Sequence, residues 1–183
     1  MIGKFKILVL CTILFLFVNK RDRLYCQVNL VPNPSFEDTV ISPIWSSNYL
    51  QHKCLNWYSD LPGTTDYYYS ISNSMVGIYT FGGIAWPNCR EIISARLIDS
   101  LVFGKKYCVE FYVKLSSQSM TACNSIGVLF TPYLPNNSCN IIGASPQFTN
   151  TDIVLDDYQN WLKISGSFIA NGTEEYLTIS NFE

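Results

Sequence analysis

The run "KKYCVEFYVKLS" alternates apolar and polar side chains with a period of two. Tyr107, Val109, Phe111, Val113 and Leu115 fall on one face, and Glu110 and Lys114 fall on the other. This period marks a half-buried strand, because successive side chains leave an extended backbone on opposite sides. "NCREIISARLIDSL" alternates too, with Glu91, Ile93, Ala95 and Leu97 on one face and Ile92, Ser94, Arg96 and Ile98 on the other. "SIGVLF" reads as a further strand, halted by Pro132. "WLKISGSFIA" and "EEYLTIS" read as two more, and Asn171-Gly172 between them is a strong hairpin signal, so the two are predicted to pair. In "SLVFGKK", Gly104 is expected to supply a positive φ for a turn, and residues 119–124 are expected to form a short turn. No stretch carries the pattern of a long helix.

Strands with loop-sized gaps and no crossover helices predict an all-β fold, an antiparallel β-sandwich. Residues 42–73 break the rhythm. This long irregular stretch holds Trp45, Tyr49, Trp57, Tyr67, Tyr68 and Tyr69. Such a stretch forms a binding surface or packs on its own side chains. Composition agrees with strands. Aromatic residues make up 15% of the 183 positions, and rings favour pleated surfaces. With 48% hydrophobic and only 14% charged residues, disorder is excluded and one sizeable core is expected. The net charge of −2, with no basic stripe, lacks the footprint of nucleic-acid binding.

Lys4 and Lys6 precede the apolar run from Ile7 to Val18, which is short for a membrane span and suits a signal-peptide core. Residues 1–26 are therefore read as a signal peptide, cut after Cys26, with a retained anchor or a lipid on Cys26 as alternatives. Residues 27–183 are read as a single β-sandwich binding domain with no membrane span. The strand-like close "YLTISNFE" suggests the first module of a longer surface protein. Export makes Cys54, Cys89, Cys108, Cys123 and Cys139 disulfide candidates. The preferred pairs are Cys54–Cys89 and Cys123–Cys139, with Cys108 buried and free, although spacing alone does not set connectivity. No C-x-x-C or Cys/His spacing points to zinc.

"VNLVPNPSFED" opens the exported part. Pro32 and Pro34 fix φ and hold the chain as an extended turn. Phe36 can anchor in the core. The Glu37 carboxylate can accept backbone N–H groups or bind a hard cation such as calcium. Together with "TTDYYYS", "VGIYTFGG", "CREIISARLIDSLVFGKKYCVEFYVKLS", "IGVLF", "PQFTN" and "NWLKISGSFIANGTEEYLTISNF", this segment resembles one family in order. The family is the N-terminal galactose-binding-like, carbohydrate-binding-module-like jelly-roll domain of exported Bacteroidetes surface proteins. These often continue into an outer-membrane-protein-A-like domain or a type IX secretion sorting tail. The resemblance runs from Val28 to Phe182. It implies a non-catalytic module at the cell surface or outer membrane, or secreted. It also implies a structural calcium held by Glu37, with Asn33 beside it. The second acidic ligand that the last strand supplies in calcium-bearing relatives has no Asp to match it after "SNF".

Candidate chemistry is sparse. His52 is the sole histidine, two residues from Cys54, and no oxyanion-type loop follows. Asp156 and Asp157 would point to opposite faces of a strand, so they read as a solvated turn before Trp161. Sugars stack their C–H faces on exposed rings while a carboxylate accepts hydroxyl protons. Trp57, Asp66, Tyr67, Tyr68 and Trp86 supply both kinds of group, so they form the candidate ligand-binding set, for a glycan or cell-surface polymer. The competing assignment is that these rings form the core of their own loop. Tyr107, Phe111 and Trp161 are assigned to the main core. Two other functions compete with glycan binding: a structural or adhesion spacer with protein partners, and a polysaccharide hydrolase. Asn136 and Asn171 lie in N-x-S/T patterns that a bacterial host would leave idle.

Overall fold

The architecture comes from a computed structural model, which describes residues 28–40, 49–60, 65–69, 73–81, 89–135, 141 and 144–183, with the backbone alone at 51 and 52. The proposed signal peptide lies outside these residues. Among the described residues one short helix, α1 (Leu50–Lys53), precedes nine strands. These are β1 (Trp57–Tyr58), β2 (Asp66–Tyr68), β3 (Met75–Gly77), β4 (Ile93–Arg96), β5 (Lys106–Val113), β6 (Ile126–Thr131), β7 (Phe148–Thr149), β8 (Leu162–Ile169) and β9 (Tyr176–Asn181). The fold is all-β with antiparallel sheets, in an arrangement consistent with a β-sandwich. One sheet has five strands in the order β1-β4-β9-β6-β7, and β2-β3 and β5-β8 form two-stranded sheets.

The alternation of β5 is observed as expected. Tyr107, Val109, Phe111 and Val113 are half-buried, and the residues between them are exposed. β8 matches it across the pair, setting Phe168 opposite Tyr107 and Ile164 opposite Phe111. These side chains pack on the five-stranded sheet. Ile126, Ile164 and Leu155 form one cluster with Phe111, Val113 and Phe148 against them. Ala95, Val128 and Leu177 join Trp57, Tyr67, Leu50 and Cys54 in a larger one. Phe130 and Phe168 stack across the layers with centroids 4.6 Å apart. Burying one such side chain is worth about 1.5–3 kcal/mol, so these facing rows hold the layers together.

β4 differs from its predicted half-buried pattern. Ile92 and Ser94, on the opposite face, are buried as fully as Ile93 and Ala95. Ile92 packs with Ile141 and Phe182 in a separate cluster on the far side. The Ser94 and Thr178 hydroxyls bond each other at 2.8 Å, and Ser180 Oγ donates to the Glu91 carbonyl at 2.9 Å. This side of the sheet is therefore covered too, and its polar groups are satisfied internally.

The expected β8–β9 hairpin does not form. β8 pairs with β5, and β9 lies between β4 and β6, so the chain crosses from one sheet to another at residues 170–175. Gly172 does take a positive φ of 84°, as its turn requires. The Glu174 carboxylate explains the arch. It is 1% exposed and accepts backbone N–H bonds from Asn171 at 2.8 Å, Gly172 at 2.8 Å and Thr173 at 3.0 Å. A buried anion that gathers three donors turns the chain inward instead of back alongside itself. The Gly104 turn is as predicted, with φ 74°.

Two substitutions test this account. Glu174→Ala strands the three donors and is expected to cost about 2–4 kcal/mol in denaturant unfolding. Glu175→Ala, which removes only the exposed pair with Arg96, should cost no more than about 1 kcal/mol. A Cβ at Gly127 would stand 2.5 Å from the Phe148 carbonyl oxygen, so Gly127→Ala must displace the β6–β7 ladder. The expected loss is about 1–3 kcal/mol.

Candidate functional site

The "NPSFE" segment forms a knot of hydrogen bonds. Asn33 has φ 44° and Phe36 has φ 61°. Asparagine reaches the left-handed region readily, while a bulky ring there needs support from its surroundings. The Asn33 side chain, 8% exposed, supplies that support. Its Oδ1 accepts from Asp38 N at 3.0 Å, and its Nδ2 donates to the carbonyls of Asp38 and Leu55, each at 2.9 Å. The Asn33 carbonyl accepts the Phe36 amide at 3.1 Å and the Trp57 indole N–H at 2.9 Å. The Phe36 and Trp57 rings pack 4.8 Å apart.

From this knot two contacts reach the β2–β3 hairpin. The Tyr67 hydroxyl donates to the Phe36 carbonyl at 2.7 Å. The Glu37 carboxylate accepts Ser74 N at 2.9 Å and Ser74 Oγ at 3.2 Å. These contacts hold the hairpin with Tyr67 and Val76 toward the core. Strand alternation then places Asp66 and Tyr68, with their partners Gly77 and Met75, on the outer face.

On that face the Tyr68 ring lies against Gly77, where a Cβ would be 3.4 Å from its edge. Its hydroxyl donates to Asp66 Oδ2 at 3.3 Å. The Asp66 charge, then partial burial, the hydrogen bond to Asp66 and the neighbouring Tyr79 all raise the Tyr68 hydroxyl above the ordinary phenol value. Tyr68 is 52% exposed and Tyr79 is 67% exposed. Tyr69 and Phe81 are exposed nearby in sequence, and the Arg90 guanidinium stacks 5.1 Å from the Phe81 ring centre. The result is an outer face where the Tyr68 ring, with Tyr79 near enough to act on it, lies beside the Asp66 carboxylate.

The expected ligand set divides. Asp66 and Tyr68 meet on this face. Trp57 and Tyr67 are each 3% exposed, and each donates to a carbonyl of the turn, so both are core and offer no ring to a ligand. Trp86 lies outside the described residues, as do Trp45, the His52 side chain and Asn136. Tyr79 was not foreseen, although it shares strand parity with Asp66, Tyr68 and Gly77. Trp161, expected in the core, is 40% exposed beneath the Lys114 ammonium, 5.2 Å from its ring centre. Asp157 forms the expected solvated turn. Its carboxyl is held below the usual range by bonds from Asn160 N at 2.9 Å, Asn160 Nδ2 at 3.0 Å and Gln159 N at 2.7 Å.

The surroundings of Glu37 and Asn33 suit hydrogen bonds rather than an ion. Both Glu37 oxygens face donors, and Asn33 turns its oxygen to an amide. Calcium takes six to eight oxygen ligands. Among the described residues no group of three His, Cys, Asp or Glu can hold a metal ion. The residues present do not fit the calcium site that the resemblance implies.

The cysteine pairs need correction. Cys54 and Cys123 are free thiols, so neither Cys54–Cys89 nor Cys123–Cys139 is bridged. Cys89 is disulfide-bonded to a partner outside the described residues, and Cys139 also lies outside them. Cys108 is free as expected but exposed, because its strand position turns it outward. No protein-family model, curated protein or solved structure matches the chain. Among the described residues no helix is long and apolar enough to cross a membrane.

Thiol labelling tests the burial of Cys54. Burial first, with the Asp38 charge adding and the Asn33 hydrogen bond opposing, pushes its thiol from 9.0 up to about 12. Cys108 is expected to react in the native state, and Cys54 only on unfolding. The proton bound to folded Cys54 contributes stability that is full below pH 9 and declines as pH rises toward 12. A native chain whose Cys54 labels as fast as Cys108 would contradict this burial.

Proposed function

We propose that this chain is a non-catalytic binding module of the galactose-binding-like jelly-roll kind, exported to the cell surface or outer membrane or secreted, with a glycan as its ligand. The observation that carries the reading is the exposed Tyr68 ring laid against Gly77. A half-exposed ring offers apolar surface to the C–H face of a sugar. Its entropy cost on binding is small, because the Asp66 hydrogen bond already restricts it. Asp66 then accepts ligand hydroxyl protons, and Tyr79 extends the platform. A glycan at this face makes no demand on a nucleophile or a base, so no reaction is assigned.

A second reading is a spacer or adhesion domain with protein partners. The outer face of the β5–β8 sheet favours it. That face combines the exposed Glu110–Lys163 pair at 2.7 Å with Tyr112, Cys108, Ser165 and Ser167. A flat surface of mixed charge suits packing against other domains.

A glycan array followed by calorimetry separates the two. Tyr68→Ala is expected to weaken binding at least tenfold, about 1.4 kcal/mol, with the unfolding midpoint nearly unchanged. Trp57→Ala should behave oppositely, lowering stability by about 3–5 kcal/mol through loss of a core ring. A folded chain that binds no glycan on the array would overturn the glycan reading.

A further inference from the structure

We propose that the Asp66–Tyr68–Tyr79 face selects a glycan that carries unsubstituted, positively charged amino sugars. This inference rests on the glycan reading above and names the ligand's charge. Asp66 Oδ2 accepts the Tyr68 hydroxyl, while Oδ1 accepts no hydrogen bond among the described residues. Asp66 takes part in no ion pair there; the two pairs found, Arg96–Glu175 and Lys163–Glu110, lie on other strands. Among the described residues its charge has no ion-pair partner, and it lies beside two phenol rings that are more than half exposed.

The carboxylates that act on the two tyrosine hydroxyls have the same sign. Asp66 acts on the Tyr68 hydroxyl, and Glu37 acts on Tyr67 behind it, and in both cases the effect is to disfavour a further negative charge. The nearby cation in sequence, Arg90, stacks on the Phe81 ring and has a further partner of its own in the Glu183 carbonyl at 3.2 Å. An ammonium group gains twice at this face. It pairs with a free carboxylate, and it is drawn to the electron-rich ring faces. A uronate or sulfate would meet repulsion from Asp66. A neutral sugar would stack on Tyr68 but leave the Asp66 charge unmatched.

Gly77 adds a geometric condition. A Cβ at Gly77 would stand 3.4 Å from the Tyr68 ring edge and 3.7 Å from Asp66 Cβ, so a side chain longer than alanine there would crowd both groups. A larger residue there would lift the ring and close the approach to Asp66.

The test is calorimetry of the full chain against four probes: a glucosamine oligosaccharide, its fully N-acetylated counterpart, a polygalacturonate oligosaccharide and a lysine oligopeptide. The buffer is kept mildly acidic, where the sugar amine carries its proton. The glucosamine oligosaccharide is expected to bind about tenfold tighter than the acetylated one. Asp66→Asn should erase that difference while leaving the acetylated ligand unchanged, and Gly77→Val should weaken both sugars. Equal binding of the amine and acetylated sugars, or preference for the polygalacturonate, would overturn the charge selection while the glycan reading stands. Binding of the lysine peptide with no sugar bound would overturn both, and so would a folded chain that binds none of the four.

Discussion

The amide of Asn33 is the constraint on which the rest depends. One buried side chain closes the 33–38 turn on itself and ties it to Leu55, and the Asn33 carbonyl takes the Trp57 indole. An unmade bond at such depth would cost about 1–3 kcal/mol for each stranded group, so these groups act as a set. The two positive φ angles at Asn33 and Phe36 persist because those bonds over-determine them. The next carbonyl and carboxylate of the turn, on Phe36 and Glu37, then hold Tyr67 and Ser74. A local turn thereby sets which face of a short two-stranded sheet looks outward.

That outward face owes its character to what the turn withdraws. Of the consecutive tyrosines 67, 68 and 69, the first is drawn into the core by its hydroxyl, and Tyr68 is left outside. Glycine at 77 lets the exposed ring pack against it, and Asp66 fixes its hydroxyl. The packed side and the solvent side come from alternate positions on one strand. The core side is bound tightly, and the solvent side keeps the Asp66 carboxylate and the exposed Tyr68 ring.

The Glu174 arch plays the corresponding part at the other end. It places β8 in one layer and β9 at the centre of the other. The facing rows Tyr107–Val113 and Ile126–Thr131 can then meet across a common interior. The outer side of the five-stranded sheet is closed by Ile141 and Phe182 against Ile92, so this sheet is buried on both faces along much of β4.

Strand identity was legible in the chain wherever a period of two ran for several residues, as in Lys106–Val113, because that pattern is a local property of extended backbone. The turn at Gly104 and the solvated turn at Asp157 were legible for the same reason, since each depends on its own few residues. The exposure of Asp66 and Tyr68 could be suspected from an aromatic-rich loop, yet the division between binding rings and packing rings could not. Trp57 and Tyr67 are buried because of carbonyls 24 and 31 residues away, and no window on the sequence contains both partners. Asn171-Gly172 reads locally as a hairpin, and only the sheet assignments of β5 and β6 give β8 and β9 better partners than each other. Composition and periodicity therefore settled the all-β class. Long-range hydrogen bonds to backbone carbonyls decided which rings are buried, because they act between residues that only folding brings together.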